Sequence, residues 1–346
     1  MVCAALLGFA VGIVLKPILR QSSQATVINS GVKKPATSGG VSPTPASPLY
    51  SLAIPSQRER DYPGSQVTIE TPAADKDGYR ESVVSYRSDG LKIYSQVLLP
   101  ATPEPAGGYP AIILVHGYVL PSGYATDEAF YTGFARNYVA KGFVVIKPDL
   151  RGHGRSWGVP EGAYFSAGYA ADVLNLAASL ERYAPVNASK LVLFGHSMGA
   201  HVALNTLLVR PQAFKAAVLA SGSVGQLGDM YYNWTAFSDF GDPVTLGIRR
   251  RVIALFGEPH NGDEFWRQTD PYTFLSTLKT PLLLAHDPND DTVPYRFSKQ
   301  LDTAVRAVGG PVTLTDYSGG HSFDGAARQP FIDDSVAFAT ARLNAK

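Results

Sequence analysis

KLVLFGHSMG occupies residues 190–199, and the helix-like stretch AHVALNTLLV follows it at 200–209. This pattern predicts a strand, a sharp turn and a helix, with Ser197 at the apex of the turn. Gly195 and Gly199 flank the serine, where the strained backbone of a tight elbow leaves no room for side chains. A serine exposed in this way is a candidate nucleophile, and the alternative is a purely structural turn.

A serine hydroxyl attacks a carbonyl at neutral pH only when a histidine takes its proton and a carboxylate orients that histidine. Of the seven histidines, only His321 follows the last predicted strand in a loop, within SGGHSF at 318–323. The glycines before His321 let this loop fold back over the sheet. We therefore expect His321 to be the general base.

Three aspartates compete for the role of the acid: Asp287, Asp290 and Asp291. They follow the apolar run PLLLAH at 281–286, which predicts a buried strand that enters an acidic turn. Each of them could orient the histidine. The alternative is that all three only cap the turn.

The chain resembles the α/β-hydrolase superfamily, especially its peptidase and esterase branches. The resemblance covers about residues 81–346 and rests on the serine elbow, on the order serine, acid, histidine, and on DLRGHGRS at 149–156. In these branches the acid-bearing strand is followed by His-Gly, a few residues and then Asp-x-x-Val-Pro. Alignment on this motif implies that Asp290 is the acid, with Asp291 next and Asp287 third. Asp287 departs from the family pattern because it stands where the glycine usually lies.

An oxyanion formed during acyl transfer needs two converging backbone N–H donors. Met198, the residue after the nucleophile, fills the first place. The apolar strand AIILV at 111–115 ends in His-Gly, and the resemblance implies that the second donor is the N–H of Tyr118. Asp149 and His153, in the loop after the next strand, are interpreted as structural.

The sequence lacks the motifs typical of metal binding and phosphate binding and the charge pattern typical of nucleic-acid binding. The chain contains no His-x-x-x-His, His-Glu-x-x-His or clustered Cys/His spacing for a metal, and no phosphate-binding Gly-x-x-x-x-Gly-Lys-Ser/Thr motif. Thirty basic and 29 acidic side chains give a net charge of +1, which offers no electrostatic footprint for nucleic acid. We expect no metal, no cofactor and no nucleic-acid partner.

Residues 2–15 are an uninterrupted apolar run of fourteen residues. This run is shorter than the roughly 20 residues of a full membrane span, and it lacks a basic n-region and a cleavage site at the usual distance. We expect residues 1–20 to be a hydrophobic anchor or signal segment, with an uncleaved anchor favoured. Lys16 and Arg20, taken literally, would place the following domain in the cytoplasm.

Residues 21–65 are rich in Ser, Thr, Pro, Gly and Ala, which predicts a disordered linker. A linker between a hydrophobic N-terminus and an enzyme domain suggests a tethered enzyme that faces the outside of a membrane. We therefore expect a membrane-anchored or exported protein whose catalytic domain is extracytoplasmic.

Residues 66–346 predict one α/β domain. Strands that alternate with helices indicate a mostly parallel central sheet flanked by helices on both faces. The aromatic-rich insertion at about 223–280 is expected to form a helical lid, whose aromatic side chains either line a pocket or simply pack. The predicted strands are 82–87, 91–99, 112–115, 144–147, 191–194, 217–220, 282–285 and 312–316.

These observations predict a serine hydrolase that cleaves carboxylic esters through an acyl-enzyme on Ser197. A serine peptidase of the aminopeptidase or prolyl-oligopeptidase type is the main alternative. An acyltransferase or a non-catalytic binding protein also remains open, because a fold does not determine function. The expected substrate is a small ester or a short peptide, and the sequence does not indicate an oligomeric state.

Overall fold

A computed structural model describes residues 52–234, 236–239, 241–260 and 262–345. The predicted anchor at 1–20 and the linker up to residue 51 lie outside the described residues. Within the described part of the chain, no helix combines the length and the apolar character needed to cross a membrane.

Nine strands form a single sheet. They are β1 (Thr68–Lys76), β2 (Tyr79–Ser88), β3 (Leu91–Pro100), β4 (Tyr109–Val115), β5 (Val144–Pro148), β6 (Val186–His196), β7 (Ala216–Ala220), β8 (Leu282–His286) and β9 (Val312–Asp316). Their order across the sheet is β1-β2-β3-β5-β4-β6-β7-β8-β9. The pairs β1–β2, β2–β3 and β3–β5 are antiparallel, and the five remaining pairs are parallel. The prediction of a mostly parallel sheet is confirmed.

Ten α-helices occur among the described residues. They are α1 (Ile54–Glu59), α2 (Ala129–Val139), α3 (Gly168–Leu180), α4 (Met198–Val209), α5 (Leu227–Asn233), α6 (Ala236–Asp239), α7 (Pro243–Phe256), α8 (Glu264–Thr269), α9 (Arg296–Ala307) and α10 (Arg328–Leu343). Short 3₁₀ turns lie at Pro121–Gly123, Pro271–Thr277, Gly320–Ser322 and Gly325–Ala327.

The helices cover both faces of the sheet, and neighbouring residues of one strand show this directly. Ile113 of β4 packs in the apolar cluster that contains Leu204 of α4, whereas Ile112 packs in the cluster that contains Phe134 of α2 and Phe331 of α10. Side chains of a strand alternate between the two faces, so a parallel strand covered on both sides reads as a continuous apolar run. This explains why these strands were predictable from the sequence.

Strand β1 was not predicted. Its sequence TIETPAADK shows no alternation of apolar and polar residues, and most of its residues are exposed. It lies at the edge of the sheet and pairs only with β2 among the described strands. An edge strand that is exposed to solvent on both faces has no periodic pattern of apolar residues, so it could not be predicted from the sequence.

The prediction of a disordered linker is wrong for residues 52–65. Ile54 of α1 is fully buried, and the Arg58 guanidinium donates hydrogen bonds of 2.8 and 2.9 Å to the Leu208 carbonyl of α4. Arg210 in turn donates to the Arg58 carbonyl at 2.9 Å. These contacts join residues about 150 positions apart, so the local Ser- and Pro-rich composition did not reveal them.

The segment between β7 and β8 contains the four helices α5 to α8. Most of its described aromatic side chains pack against one another, for example Phe237 with Trp234 and Phe256 with Phe265. Among its described aromatic residues, only Trp234 reaches the cavity that contains Ser197. The segment is therefore helical as expected, and its action as a lid stays a prediction.

Candidate active site

The serine elbow lies between the end of β6 and the start of α4. Ser197 has φ 55° and ψ −120°, and its N–H donates a 2.9 Å hydrogen bond to the Ala220 carbonyl. A Cβ at Gly195 would lie 2.3 Å from the Gly199 carbonyl oxygen, and one at Gly199 would lie 2.2 Å from the Val115 oxygen. Neighbouring backbone atoms thus leave no room for a side chain at either position, and the residue between the two glycines, Ser197, has a strained backbone conformation.

His321 lies in the loop after β9, where its ring meets the turn after β8. Its Nδ1 is 2.8 Å from Oδ2 of Asp290. The Asp290 side chain is fully buried, whereas the His321 side chain is 18% exposed. An ionised carboxylate can only accept, so Nδ1 carries the proton and Nε2 of a neutral ring is left as an acceptor.

The Asp290 carboxylate receives four hydrogen bonds. Besides His321, His286 Nε2 lies 3.1 Å from Oδ2, and the N–H groups of Thr292 and Val293 donate to Oδ1 at 2.8 and 2.9 Å. Burial acts to raise the pKa of Asp290, but the hydrogen bonds from the two histidines and the backbone outweigh it and hold the pKa well below its usual range. Asp290 is therefore ionised at neutral pH.

The two other aspartates of this turn lie elsewhere. Asp291 is exposed and accepts from the neighbouring Thr292 hydroxyl at 3.1 Å. Asp287 is buried, but its carboxylate accepts the backbone N–H groups of Asn289 and Gly320 rather than the histidine ring. Of the three candidates, the structure thus brings Asp290 to His321.

A cavity of about 500 Å³ opens above the elbow and is lined by both Ser197 and His321. Within the described residues no hydrogen bond joins the Ser197 hydroxyl to the His321 ring; such catalytic contacts often tighten only when substrate binds. The wall is largely apolar and aromatic. It includes Tyr118, Val119, Phe130, Tyr131, Tyr164 and Trp234.

Both residues expected to form an oxyanion hole line this cavity. Met198 is the first residue of α4, and Tyr118 follows the end of β4 by three positions. Between β4 and Tyr118, a Cβ at Gly117 would lie 2.7 Å from the Tyr131 hydroxyl and 3.1 Å from Ser197 Cβ. The loop therefore passes directly beside the nucleophile, and the role of its N–H groups stays a prediction.

Residues 110–241, which include the elbow, match the serine aminopeptidase S33 family. In structure, the chain superposes on acetyl xylan esterase 1 from Thermoanaerobacterium sp. JW/SL YS485 with a TM-score of 0.58, over 86% of this chain and 93% of that chain at 19% identity. The chain has the α/β-hydrolase fold. Esterases and peptidases both occur among the proteins that this chain is similar to.

Two curated relatives carry peptidase names. The uncharacterized peptidase YuxL of Bacillus subtilis (strain 168) is 24% identical over 284 residues, which is 80% of this chain and 40% of YuxL. Dipeptidyl aminopeptidase BIII of Pseudoxanthomonas mexicana is 22% identical over 220 residues, 62% of this chain and 30% of that protein. The chain thus spans less than half the length of these relatives.

A chain of hydrogen bonds connects the loops around the nucleophile. His196 Nε2 lies 2.9 Å from the His321 carbonyl, which can only accept, so Nε2 carries the proton and Nδ1 accepts from the Tyr131 hydroxyl at 3.1 Å. The same hydroxyl accepts the Gly117 N–H at 2.5 Å. Burial, and then the neighbouring His321, lower the pKa of His196 to about 3, so its ring stays neutral.

Neither His196 nor Tyr131 was among the residues predicted for the site. The hydrogen bond between them joins residues 65 positions apart, and no local pattern marks either side chain. His196 is the last residue of β6 and Tyr131 lies in the first turn of α2, so only the fold brings them together.

A second polar cluster, buried beside the cavity, agrees with the structural interpretation of Asp149 and His153. The Asp149 carboxylate accepts the Tyr124 hydroxyl at 2.6 Å, and Lys147 Nζ lies 3.4 Å away from it. The His116 and His153 rings are 5.1 Å apart, and burial lowers the pKa of both. In the described part of the chain, no group of three or more His, Cys, Asp or Glu residues could hold a metal ion.

Proposed function

We propose that this hydrolase cleaves carboxylic esters through an acyl-enzyme on Ser197. The Ser197 Oγ attacks the ester carbonyl carbon while His321 Nε2 takes the hydroxyl proton. Asp290 holds the ring in the correct tautomer and stabilises the imidazolium that forms. The N–H groups of Met198 and Tyr118 stabilise the oxyanion. The 2.8 Å contact of Asp290 with His321, whose ring lines the same cavity as Ser197, carries this proposal.

The second half of the cycle uses the same groups in reverse. The tetrahedral intermediate collapses, the ester C–O bond breaks, and the imidazolium of His321 gives its proton to the leaving alkoxide. Water then attacks the acyl carbon, His321 takes one of its protons, and collapse returns that proton to the Ser197 oxygen. The products are an alcohol and a carboxylic acid.

The apolar lining of the cavity supports an ester with an apolar acyl or aryl group as the substrate. Its largest side chains are aromatic or aliphatic, and burial of such substrate surface contributes about 25 cal/mol per Å². Thr245, Thr292 and Ser322 add hydroxyl groups that could orient polar substrate atoms.

A serine peptidase is the second candidate, and one carboxylate favours it. Glu128 lines the cavity, and no Lys or Arg side chain does so among the described residues. Its two oxygens accept the N–H groups of Phe130 and Tyr131 at 2.9 and 3.0 Å, and each retains a second lone pair. This carboxylate could bind the ammonium group of a peptide N-terminus. The match to the serine aminopeptidase family supports the same alternative.

Turnover by the full chain tests the proposal. Wild type, Ser197→Ala and the surface control Ser189→Ala are compared on p-nitrophenyl esters and aminoacyl-p-nitroanilides. We expect ester turnover to dominate, to vanish in Ser197→Ala and to persist in Ser189→Ala. Dominant anilide turnover would instead support the peptidase, and ester turnover near the wild-type level in Ser197→Ala would exclude the mechanism.

The cellular location is a separate proposal and rests on the sequence alone. We propose that residues 1–20 anchor the enzyme with its catalytic domain outside the membrane. Protease treatment of intact cells that express the full chain should remove the domain, and complete protection would contradict this orientation.

A further inference from the structure

Asp287 occupies the position at which the family pattern has glycine, and its carboxylate is only 4% exposed. Its Oδ1 accepts the Asn289 N–H at 2.8 Å, which is a local turn contact. Its Oδ2 accepts the Gly320 N–H at 2.7 Å, which joins the turn after β8 to the loop after β9. A glycine at position 287 could make neither contact.

The contact at Gly320 lies one residue before His321. The same two loops are also joined by the contact between His321 and Asp290, so two adjacent bonds connect them. On the other side, the His321 carbonyl accepts from His196 at 2.9 Å. The backbone that carries the general base is therefore held from the acid turn and from the elbow.

The loop needs such support because its own backbone is permissive. Gly319 and Gly320 have φ values of 93° and 67°, a region that glycine enters without strain. Two glycines directly before His321 would let the imidazole pivot relative to Asp290. A hydrogen bond to an ionised carboxylate is among the stronger ones, and this one fixes the second glycine.

We propose that Asp287 is a positioning residue that holds the His321 loop in register with Asp290 and the nucleophile. This inference rests on the proposed function of the site. Asp287 does not reach the cavity; it acts through the backbone of Gly320.

Asp287→Asn tests the proposal with a matched control. The amide keeps the size of the side chain but replaces one accepting oxygen with a donor, so one of the two backbone contacts is lost. Asp291→Asn makes the same change of charge four residues further on, at an exposed side chain that contacts Thr292. Both variants are made in the full chain, with thermal unfolding as the check on folding.

The measurements are kcat and KM for a p-nitrophenyl ester. For Asp287→Asn we expect kcat to fall about 10- to 100-fold, because displacement of a catalytic group by about 1 Å has effects of this size. KM should stay nearly constant, whereas general destabilisation would not separate the two constants. Asp291→Asn should match the wild type in both quantities.

A second pair of variants covers the case in which Asp287→Asn does not fold. Asp287→Ser retains an accepting oxygen, whereas Asp287→Gly restores the family residue and retains none, so the serine variant should keep the higher kcat. Wild-type kcat in Asp287→Asn, or an equal loss of kcat in Asp291→Asn, would overturn the inference. Equal kcat in the serine and glycine variants would also overturn it. A wild-type enzyme without Ser197-dependent turnover would instead refute the proposed function.

Discussion

Two buried carboxylates, Asp149 and Asp290, follow parallel strands of the same sheet and have different surroundings. Asp149 follows β5 and accepts from Tyr124 at 2.6 Å, with Lys147 at 3.4 Å. Asp290 follows β8 and accepts from His321 at 2.8 Å. Both carboxylate side chains are fully buried. Burial and hydrogen bonding alone therefore do not distinguish a structural acid from a candidate catalytic one.

The two carboxylates differ in whether the side chain that pairs with each of them is accessible from the cavity. Lys147 is fully buried, so its charge and that of Asp149 neutralise each other inside the protein. His321 lines the cavity with Ser197 and is partly exposed. The Asp290 carboxylate is thus connected through the His321 imidazole to the cavity that contains Ser197. An accessible partner therefore distinguishes the candidate catalytic acid from the structural one.

The largest expected effect is on activity, in Asp290→Asn. An amide can present its NH₂ group to the His321 ring and favour the wrong tautomer, so kcat should fall about 10³- to 10⁴-fold. Thermal unfolding should change little by comparison. Steady-state kinetics and calorimetry on the same preparation check both statements, and kcat within about tenfold of the wild type would remove Asp290 from the mechanism.

The corresponding change in the other cluster, Asp149→Asn, should act on stability. It leaves the buried Lys147 ammonium without a counter-charge, so the free energy of unfolding should fall by about 3 to 5 kcal/mol. The folded fraction should retain kcat within a few-fold of the wild type. Urea unfolding and active-site titration separate the two quantities. An inactive variant with unchanged unfolding would show that Asp149 belongs to the catalytic site.

Buried histidines should make the protein acid-sensitive. Burial lowers the pKa of His196 to about 3 and that of His201 to about 4, below the usual 6.5. The unfolded chain therefore binds protons below pH 6.5 that the native state does not bind. Stability should fall as pH drops from about 6.5 to 4, by up to about 1.4 kcal/mol per pH unit and per histidine.

Urea unfolding at pH 7, 6 and 5 measures this slope. His201→Asn should reduce it, because one proton fewer is taken up on unfolding. A free energy of unfolding that stays constant between pH 7 and 5 would mean that these rings are protonated in the native state.

A smaller effect is expected from Tyr131→Phe. Loss of this hydroxyl removes the contacts to Gly117 and His196 that connect the loop after β4 to the His321 loop, so kcat should fall about 5- to 30-fold. Tyr138→Phe is the matched control, since this buried tyrosine of the same helix bonds Ser335 at 2.8 Å instead. It should affect unfolding but not kcat. Equal kcat in the two variants would refute the positioning role of Tyr131.

The elbow and the buried strands were predictable because they depend on residues that lie close together in the sequence. The elbow could be recognised because close approach requires Gly195 and Gly199, and the strands could be recognised because both of their faces are covered. The contact of Asp290 with His321, which joins residues 31 positions apart, was anticipated only through the family motif.

The missed features have two different causes. Residues 52–65 are ordered by contacts with the distant residues Leu208 and Arg210. Strand β1 pairs with its sequence neighbour β2, but its exposed residues show no apolar period. The bond of Asp287 to Gly320 spans 33 positions, so a carboxylate that broke the family pattern could not be interpreted before its partner was known.

Covalent labelling shows whether Ser197 is a nucleophile activated by His321 and Asp290. The full chain is treated with a fluorophosphonate, and the modified peptide is identified by mass spectrometry in the wild type, Ser197→Ala, Asp290→Asn and Asp149→Asn. We expect an adduct on Ser197 in the wild type, none in Ser197→Ala, slow labelling in Asp290→Asn and nearly wild-type labelling of folded Asp149→Asn. No adduct on Ser197 in the wild type, or equally slow labelling of the two aspartate variants, would contradict this mechanism.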